Sequence, residues 1–186
     1  MTKINRRIFN LSILSSAGLM AGCSNGIGSG NPATIDTQVQ TTLSQLFEAF
    51  PNTQDLAAKS NGMLVMPLVT EAGFMIGGSY GRGALVINNV VVDYYSSTSA
   101  NIGLQIGGQQ FAHVLFFMTE DALASFRRGS GWSAGADVEY ATPERGKSVR
   151  AETLTSMAPV IAVVYAQSGL RLGAALEGTK YNRIIP

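Results

Sequence analysis

The side chains that most often do chemistry are scarce in this sequence, which holds one cysteine, Cys23, and one histidine, His113. A single thiol can act as a nucleophile or accept an acyl group, but it can form neither a disulfide within the chain nor a cysteine-rich metal site. His113 lies among Phe111, Leu115 and Phe117, a setting that favours a hydrogen-bonded core imidazole over a general base. The 12 acidic residues show no metal-ligand spacing, although any two of them could meet in the fold. We therefore expect no catalytic residue, no metal and no cofactor, and an enzyme ranks third among the interpretations.

The chemistry expected of Cys23 is lipid modification. Residues 1–22 begin with basic side chains, continue with a moderately apolar run and end with small residues, which is the organisation of an export signal. The final positions, LMAG before Cys23, resemble a bacterial lipobox, in which the thiol receives a diacylglyceryl group before cleavage and the freed amine is then acylated, for instance with palmitate. Several acyl chains, at about 0.8 kcal/mol per buried CH₂, give effectively permanent membrane attachment. A secreted protein with an ordinary cleavage site and an incidental thiol is the alternative.

The residues around this motif predict the cellular localisation of the protein. Ser24, with no Asp after the cysteine, resembles lipoproteins sent to an outer membrane, so we expect a protein of the cell envelope that is anchored there and faces the periplasm. Arg6-Arg7 with Phe9 resembles a twin-arginine signal, which leaves the export route open. Residues 23–33 predict a lipidated, flexible linker rich in Gly, Ser and Asn, and residues 34–186 predict the folded domain.

Composition and charge exclude several classes of protein. With 46% hydrophobic and 13% charged residues, the 186-residue chain suits one domain with a sizeable core. Removing three basic residues of the export signal from 13 leaves 10 against 12 acidic ones, a net charge near −2, so we expect no nucleic-acid partner. The 21 glycines fall mostly within strand-like runs, where missing side chains permit tight curvature, and this predicts a strongly curled sheet.

Cations are the candidate contacts for the phosphates of membrane phospholipid. An arginine can hold a phosphate with two charge-assisted hydrogen bonds, and a lysine acts as a point charge. We expect two or three of the candidates to bind headgroups, and the others to be solubilising surface charge. The candidates are Lys59, Arg82, Arg127, Arg128, Arg171, Lys180 and Arg183. The glycines at 77–83 do not form a phosphate loop, because their order is wrong for GxGxxG and no Lys-Ser/Thr pair follows.

Three helices follow from apolar periodicity and capping signals. Apolar residues at spacings of three and four predict an amphipathic helix from about Thr34 to Ala49, ended by Pro51. Thr53 is expected to cap a second helix that runs to Lys59, and a third is expected near 120–128. Few cations lie on the polar faces of the first two, which favours packing in the core over insertion at the bilayer surface.

The strand signals predict a sheet around the stretch 101–118. Its first half alternates and its second half is apolar on both faces, which indicates either one long bent strand lying between two covering layers or a hairpin turning at 107–110. Further strands are expected at 63–66, 90–95 and 132–140, with a strand or hairpin at 72–87 and a hairpin from 159–165 to 170–180. Asn88-Asn89 is expected to form a turn before the strand at 90–95. The fold class is α+β: a curled, mainly antiparallel sheet of roughly six to eight strands, which could be barrel-like, with the N-terminal helices and one further helix near 120–128.

Several segments, in their order along the chain, resemble the SYLF lipid-binding domain family. They are PLVTEAGFMIGGSYGRGAL, NIGLQIGGQ, VLFFMTEDALASF, GWSAGAD and APVIAVVYAQSGLRLGAALEGTK, within a region from about residue 40 to the end. The resemblance implies a non-enzymatic domain that binds phospholipids; eukaryotic members bind phosphoinositides, with the N-terminal helix and basic residues implicated. The actin-binding and SH3 regions of some members are absent from this sequence, so no actin role is implied.

Two functions are therefore weighed. The favoured one is an exported, lipid-anchored protein whose domain binds phospholipid. The alternative is a structural envelope protein whose domain docks onto another protein or a cell-wall polymer, with membrane contact through the anchor alone.

Overall fold

The computed structural model describes residues 31–74, 76–102, 107–129, 131–135, 138–140, 158–166, 169–170, 176 and 178–186. The chain divides into the units Met1–Asn31 and Pro32–Pro186, and the second of these is described below. The predictions for the export signal, Cys23, Ser24 and Arg171 lie outside the described residues.

Helix α1 spans Pro32–Ala49, α2 spans Thr53–Lys59 and α3 spans Glu120–Arg128. The apolar stripe of α1, including Ile35, Val39 and Leu46, is buried, so this helix packs in the core as expected. The expectation for Thr53 is wrong. Asn52 occupies the N-cap position of α2, where its side chain makes no capping hydrogen bond, and the Thr53 hydroxyl donates to the Phe50 carbonyl oxygen at 2.6 Å.

Nine described strands form one sheet in the order β5-β9-β3-β2-β1-β4-β7-β6, with β8 paired to β7. Every pairing is antiparallel except the parallel β6–β7 pair, and the sheet is curled into a half-barrel, which confirms the α+β fold class. The strands are β1 Gly62–Phe74, β2 Ile76–Ile87, β3 Val90–Ile102, β4 Gly107–Phe117, β5 Trp132–Ser133, β6 Val138–Tyr140, β7 Val160–Ala166, β8 Gly169–Leu170 and β9 Lys180–Ile184.

The stretch 101–118 belongs to two strands, and both alternatives considered for it are wrong. Strand β3 ends at Ile102 and β4 begins at Gly107, and β2 and β1 lie between them in the sheet. The residues at 107–110 pair with β1 and do not form a turn. A run of apolar residues shows that a strand is buried but does not show which strand lies beside it.

Three further strand boundaries differ from expectation. Pro67 does not end β1; it sits where the register shifts between Val65 and Leu68, at a bulge where a proline is tolerated. The predicted strand 132–140 splits into β5 and β6, which pair with β9 and β7 respectively. Lys180 begins β9 and pairs with Thr98 of β3, so it is not part of a hairpin with β7.

The turn between β2 and β3 is the Asn88-Asn89 pair expected before the strand at 90–95. Both residues have positive φ, 49° and 62°, which is the backbone of a type I′ hairpin turn and is accessible to asparagine.

Strand β4 is covered on both faces, as expected for the second half of the stretch. Every residue from Phe111 to Met118 is buried. Ala112, Val114 and Phe116 pack with α1, and we call this side of the sheet the α1 face. The alternate residues, including Phe117, pack with Phe126 of α3 on what we call the α3 face.

Two glycines of β2 permit the curl of the sheet. A Cβ atom on Gly81 would lie 2.7 Å from the Cγ2 atom of Val69 and 2.9 Å from the Leu68 carbonyl oxygen. A Cβ atom on Gly83 would overlap the Val65 carbonyl oxygen. The bulged part of β1 therefore approaches β2 more closely than any larger residue would allow.

Candidate functional site

Two arginines from different elements meet at Asp93. The Nη2 atom of Arg127, in the last turn of α3, lies 3.3 Å from an Asp93 carboxylate oxygen, and the Nη2 atom of Arg183, on β9, lies 2.9 Å from the same atom. The arginine side chains are 43% and 49% exposed, whereas Asp93 is 15% exposed. The carboxylate thus orients two guanidinium groups that remain open to solvent.

Helix α3 is held so that Arg127 reaches the strand. The Thr119 hydroxyl caps the helix by accepting a hydrogen bond from the Ala122 amide at 3.2 Å. The neighbouring Phe126 is buried against the rings of Tyr95, at 4.7 Å between centroids, and Phe117, at 4.8 Å. Aromatic packing of Phe126 therefore places the next residue beside β3.

Arg183 is positioned by the register of β9 on β3, in which it pairs with Tyr95. Burial raises the pKa of the Tyr95 phenol, and the nearby Arg183 guanidinium partly opposes this shift. The pKa of the Arg183 guanidinium is in turn raised, mainly by the Tyr95 phenol and to a smaller extent by Asp93. The Tyr95 hydroxyl is near enough to interact with the guanidinium but forms no well-oriented hydrogen bond. Arg183 is thus a permanent cation at this position.

The cluster carries a surplus of positive charge. Arg128 follows Arg127 in the chain and is exposed, so the three arginines and Asp93 together carry a formal charge of +2. Each guanidinium presents five N–H donors in a planar fork, and the contacts with Asp93 use the Nη2 atoms. Such an arrangement can bind an anionic group such as a phosphate.

The remaining described candidates lie elsewhere. Lys59 is exposed at the end of α2. The Nε atom of Arg82 donates to the Tyr80 hydroxyl at 2.8 Å, and its guanidinium carbon lies 5.9 Å from the Tyr80 ring centroid. Arg82 pairs with Ser96 of β3 and Lys180 pairs with Thr98, whereas Arg183 pairs with Tyr95. Because side chains alternate between the two faces along a strand, Arg82 and Lys180 lie on the α1 face.

Of the described candidates, the fold brings Arg127 and Arg183 together at Asp93, with Arg128 next to Arg127 in the chain, and places the other three elsewhere. Sequence reasoning missed Asp93, the residue that organises the cluster. Its position on β3 carries no motif, and the three residues that meet there are far apart in the sequence.

His113 is a core residue, as expected. It is fully buried on the α3 face, and its Nε2 atom shares a 2.8 Å hydrogen bond with the Tyr181 hydroxyl. The Nδ1 atom and the buried Ser97 hydroxyl have no hydrogen-bond partner. Burial lowers the pKa of His113 to about 3, so the imidazole is neutral at physiological pH.

No described helix is long and apolar enough to cross a membrane. Within the same part of the chain, no group of three or more His, Cys, Asp or Glu side chains is arranged to hold a metal ion.

An exposed arginine cluster of this kind is typical of a site that binds an anionic group. Residues 98–183 match the model of the Ysc84 family, described as Las17-binding protein actin regulator. This match confirms the SYLF resemblance for that part of the chain and indicates a domain for lipid-related or actin-related binding. The match is narrower than the region from about residue 40 that the motifs indicated, and it includes the three arginines of the cluster. No curated protein matches the chain.

Proposed function

We propose that this protein is an exported lipoprotein, anchored through acylated Cys23, whose SYLF domain binds phospholipid headgroups with Arg127, Arg128 and Arg183 and has no enzymatic activity. The observation that supports this most is the meeting of two exposed guanidinium groups on the Asp93 carboxylate, because both arginines belong to the region that matches the family. The lipobox-like sequence supports the anchor.

The cluster has the chemistry needed to bind a phosphate group. Arginine forks bind phosphate with two parallel hydrogen bonds, and orientation by Asp93 reduces the side-chain entropy lost on binding. The net charge of the chain without its export signal is near −2, so attraction to an anionic membrane would be local to this +2 cluster. Such attraction weakens as salt is added.

An anchor at Cys23 would make even weak headgroup binding effective. Nine residue steps separate Cys23 from Pro32, the first residue of α1, and they can span at most about 30 Å. A tethered domain meets its target at an effective concentration of the order of millimolar, so a modest affinity of the cluster is sufficient.

Helix α1 is a poorer candidate for the membrane contact. Its sequence contains Asp36 and Glu48 but no lysine or arginine, and its apolar side chains are buried on the sheet. Asp36 also accepts a hydrogen bond from the Tyr94 hydroxyl at 3.0 Å, which ties the helix to β3. Insertion of α1 into a bilayer would require it to leave the core.

A protein partner is the second candidate, because the matching family is described as Las17-binding. In that case the domain would dock onto another envelope protein, or a cell-wall polymer, and the anchor alone would contact the membrane.

The test uses the full-length chain with Cys23→Ser, mixed with vesicles of neutral phosphatidylcholine or with added anionic phosphatidylglycerol. We expect co-sedimentation with the anionic vesicles at low salt, and roughly tenfold weaker binding for Arg128→Gln combined with Arg183→Gln. Lys59→Gln combined with Arg82→Gln removes the same charge elsewhere and should bind like the parent. Absence of binding to both kinds of vesicle overturns the proposal, and one dominant crosslinked envelope protein would then support the second candidate. Mass spectrometry of the native protein tests the acylation of Cys23 separately.

A further inference from the structure

The described part of the protein exposes three large hydrophobic side chains. Val90 is 60% exposed, Val92 is 41% exposed and Ile185 is 99% exposed. Single exposed hydrophobic residues are ordinary on a protein surface, but grouped ones mark interaction sites. Their positions in the sheet are therefore informative.

All three lie at the corner where β3 begins and β9 ends, next to the arginine cluster. Val92 directly precedes Asp93, and Val90 is three residues from Asp93, about 10 Å along an extended strand. Ile184 pairs with Tyr94, so Ile185 leaves β9 beside Asp93. We call Val90, Val92 and Ile185 the apolar corner.

The backbone explains why these side chains are not covered. Asp93 pairs with Leu85 of β2 and Val91 pairs with Val86, so Val92 is an extra residue at a bulge. On the other side, the pairing of β3 with β9 stops at Tyr94. The valines thus project from a strand segment that β9 does not flank.

We propose that the apolar corner enters the interfacial layer of an anionic bilayer while Arg127, Arg128 and Arg183 bind the lipid phosphates around it. This inference rests on the proposed function and specifies which end of the sheet meets the membrane. Arginine suits this position because its aliphatic stem can follow apolar surface while the guanidinium stays at the level of the phosphates.

A bilayer fits the corner better than a protein does. A stable protein interface buries about 800 Å² on each partner, far more than three aliphatic side chains supply. Insertion into a bilayer needs only a few apolar side chains when cations attract the surface at the same time. The +2 charge of the arginine cluster complements an anionic surface, and the apolar face of α1 is already occupied by the sheet.

The test places a fluorophore at the corner. Cys23→Ser removes the only cysteine, so Val92→Cys or Ala100→Cys can each be labelled with one environment-sensitive dye in the full-length chain. Ala100 is an exposed residue of the same strand, roughly 26 Å from Val92 along β3, and serves as the matched control. With anionic vesicles we expect a blue shift and an intensity increase at position 92 and none at position 100. Val90→Thr combined with Val92→Thr should weaken vesicle binding about tenfold, because each change replaces a methyl by a hydroxyl on an exposed side chain.

The outcomes separate this inference from the proposed function. Co-sedimentation without a spectral change at position 92, or with a change only at position 100, overturns the apolar corner and leaves phospholipid binding standing. A spectral change at position 92 that occurs without vesicles and grows with protein concentration also overturns it, because the corner would then meet a second copy. Loss of all vesicle binding removes both proposals.

Discussion

Stability between pH 7.5 and 5.5 should depend on His113, the only histidine of the chain. The imidazole is fully buried and shares one hydrogen bond with the Tyr181 hydroxyl, while its Nδ1 atom has no partner. A proton added to the folded protein would therefore place a charge in the core. Burial accordingly lowers the pKa of His113 in the folded state to about 3, whereas an unfolded chain has an ordinary value of about 6.5.

The sign of the effect follows from proton binding. Between these two pKa values the unfolded chain binds a proton and the folded protein does not, so the free energy of unfolding rises with pH in this window. Stability is fully present above pH 6.5 and is lost progressively as the pH falls below it. From pH 7.5 to 5.5 the free energy of unfolding should fall by about 1.4 kcal/mol, because protonation of the unfolded chain is worth about 1.4 kcal/mol at pH 5.5 and almost nothing at pH 7.5.

The assay is urea unfolding at several pH values, with His113→Gln as the variant that cannot titrate. The absolute stability of this variant will fall if the amide packs poorly. The measured quantity, however, is the difference in the free energy of unfolding between pH 7.5 and 5.5, and in this variant that difference should largely disappear. Tyr181→Phe is the second variant; it keeps His113 in place and should retain the pH dependence. In parallel, the single imidazole signal in NMR spectra of the folded protein should not titrate between pH 8 and 5.

Two results would refute this reasoning. One is a fall in the free energy of unfolding of the wild type of less than about 0.3 kcal/mol between pH 7.5 and 5.5, which would mean that the folded protein accepts the proton with little cost. The other is an equal loss in wild type and His113→Gln, which would assign the pH dependence to carboxylates.

Two further predictions concern stability. Gly83→Ala should lower the free energy of unfolding by more than about 3 kcal/mol, because its Cβ atom would overlap the Val65 carbonyl oxygen. Gly108→Ala is the control: its Cβ atom would lie 3.8 Å from its nearest neighbour, so this change should alter the thermal midpoint little. Similar midpoints for both variants would show that the curl of the sheet does not depend on Gly83. Thr119→Ala should cost about 1 kcal/mol in urea unfolding through loss of the cap on the Ala122 amide, and Thr119→Ser should restore most of it; an equal loss with Ser would mean that the hydroxyl is not the stabilising group.

Some features of the fold were predictable because they depend on short stretches of chain. Apolar residues at helical spacing placed α1, and acidic residues before and arginines after an apolar stripe placed α3. The Asn88-Asn89 pair predicted the turn before β3, and the two-sided apolar pattern predicted that the second half of 101–118 is covered on both faces. In each case neighbouring residues alone decide the outcome, through backbone sterics or through the side of an element that must avoid water.

Strand partners and the arginine cluster could not be predicted in this way. The pattern of apolar and alternating residues in 101–118 is equally compatible with one strand or two. Only the pairing of β3 with β2 and of β4 with β1 shows that one strand ends at Ile102 and another begins at Gly107. The cluster likewise needs the β3–β9 register to bring Arg183 to Asp93 and the packing of α3 to bring Arg127. The sequence alone identified the cations and their chemistry, because charge and hydrogen-bonding capacity belong to each side chain. Only the tertiary structure decided which of them act together, since that depends on contacts between residues distant in the chain.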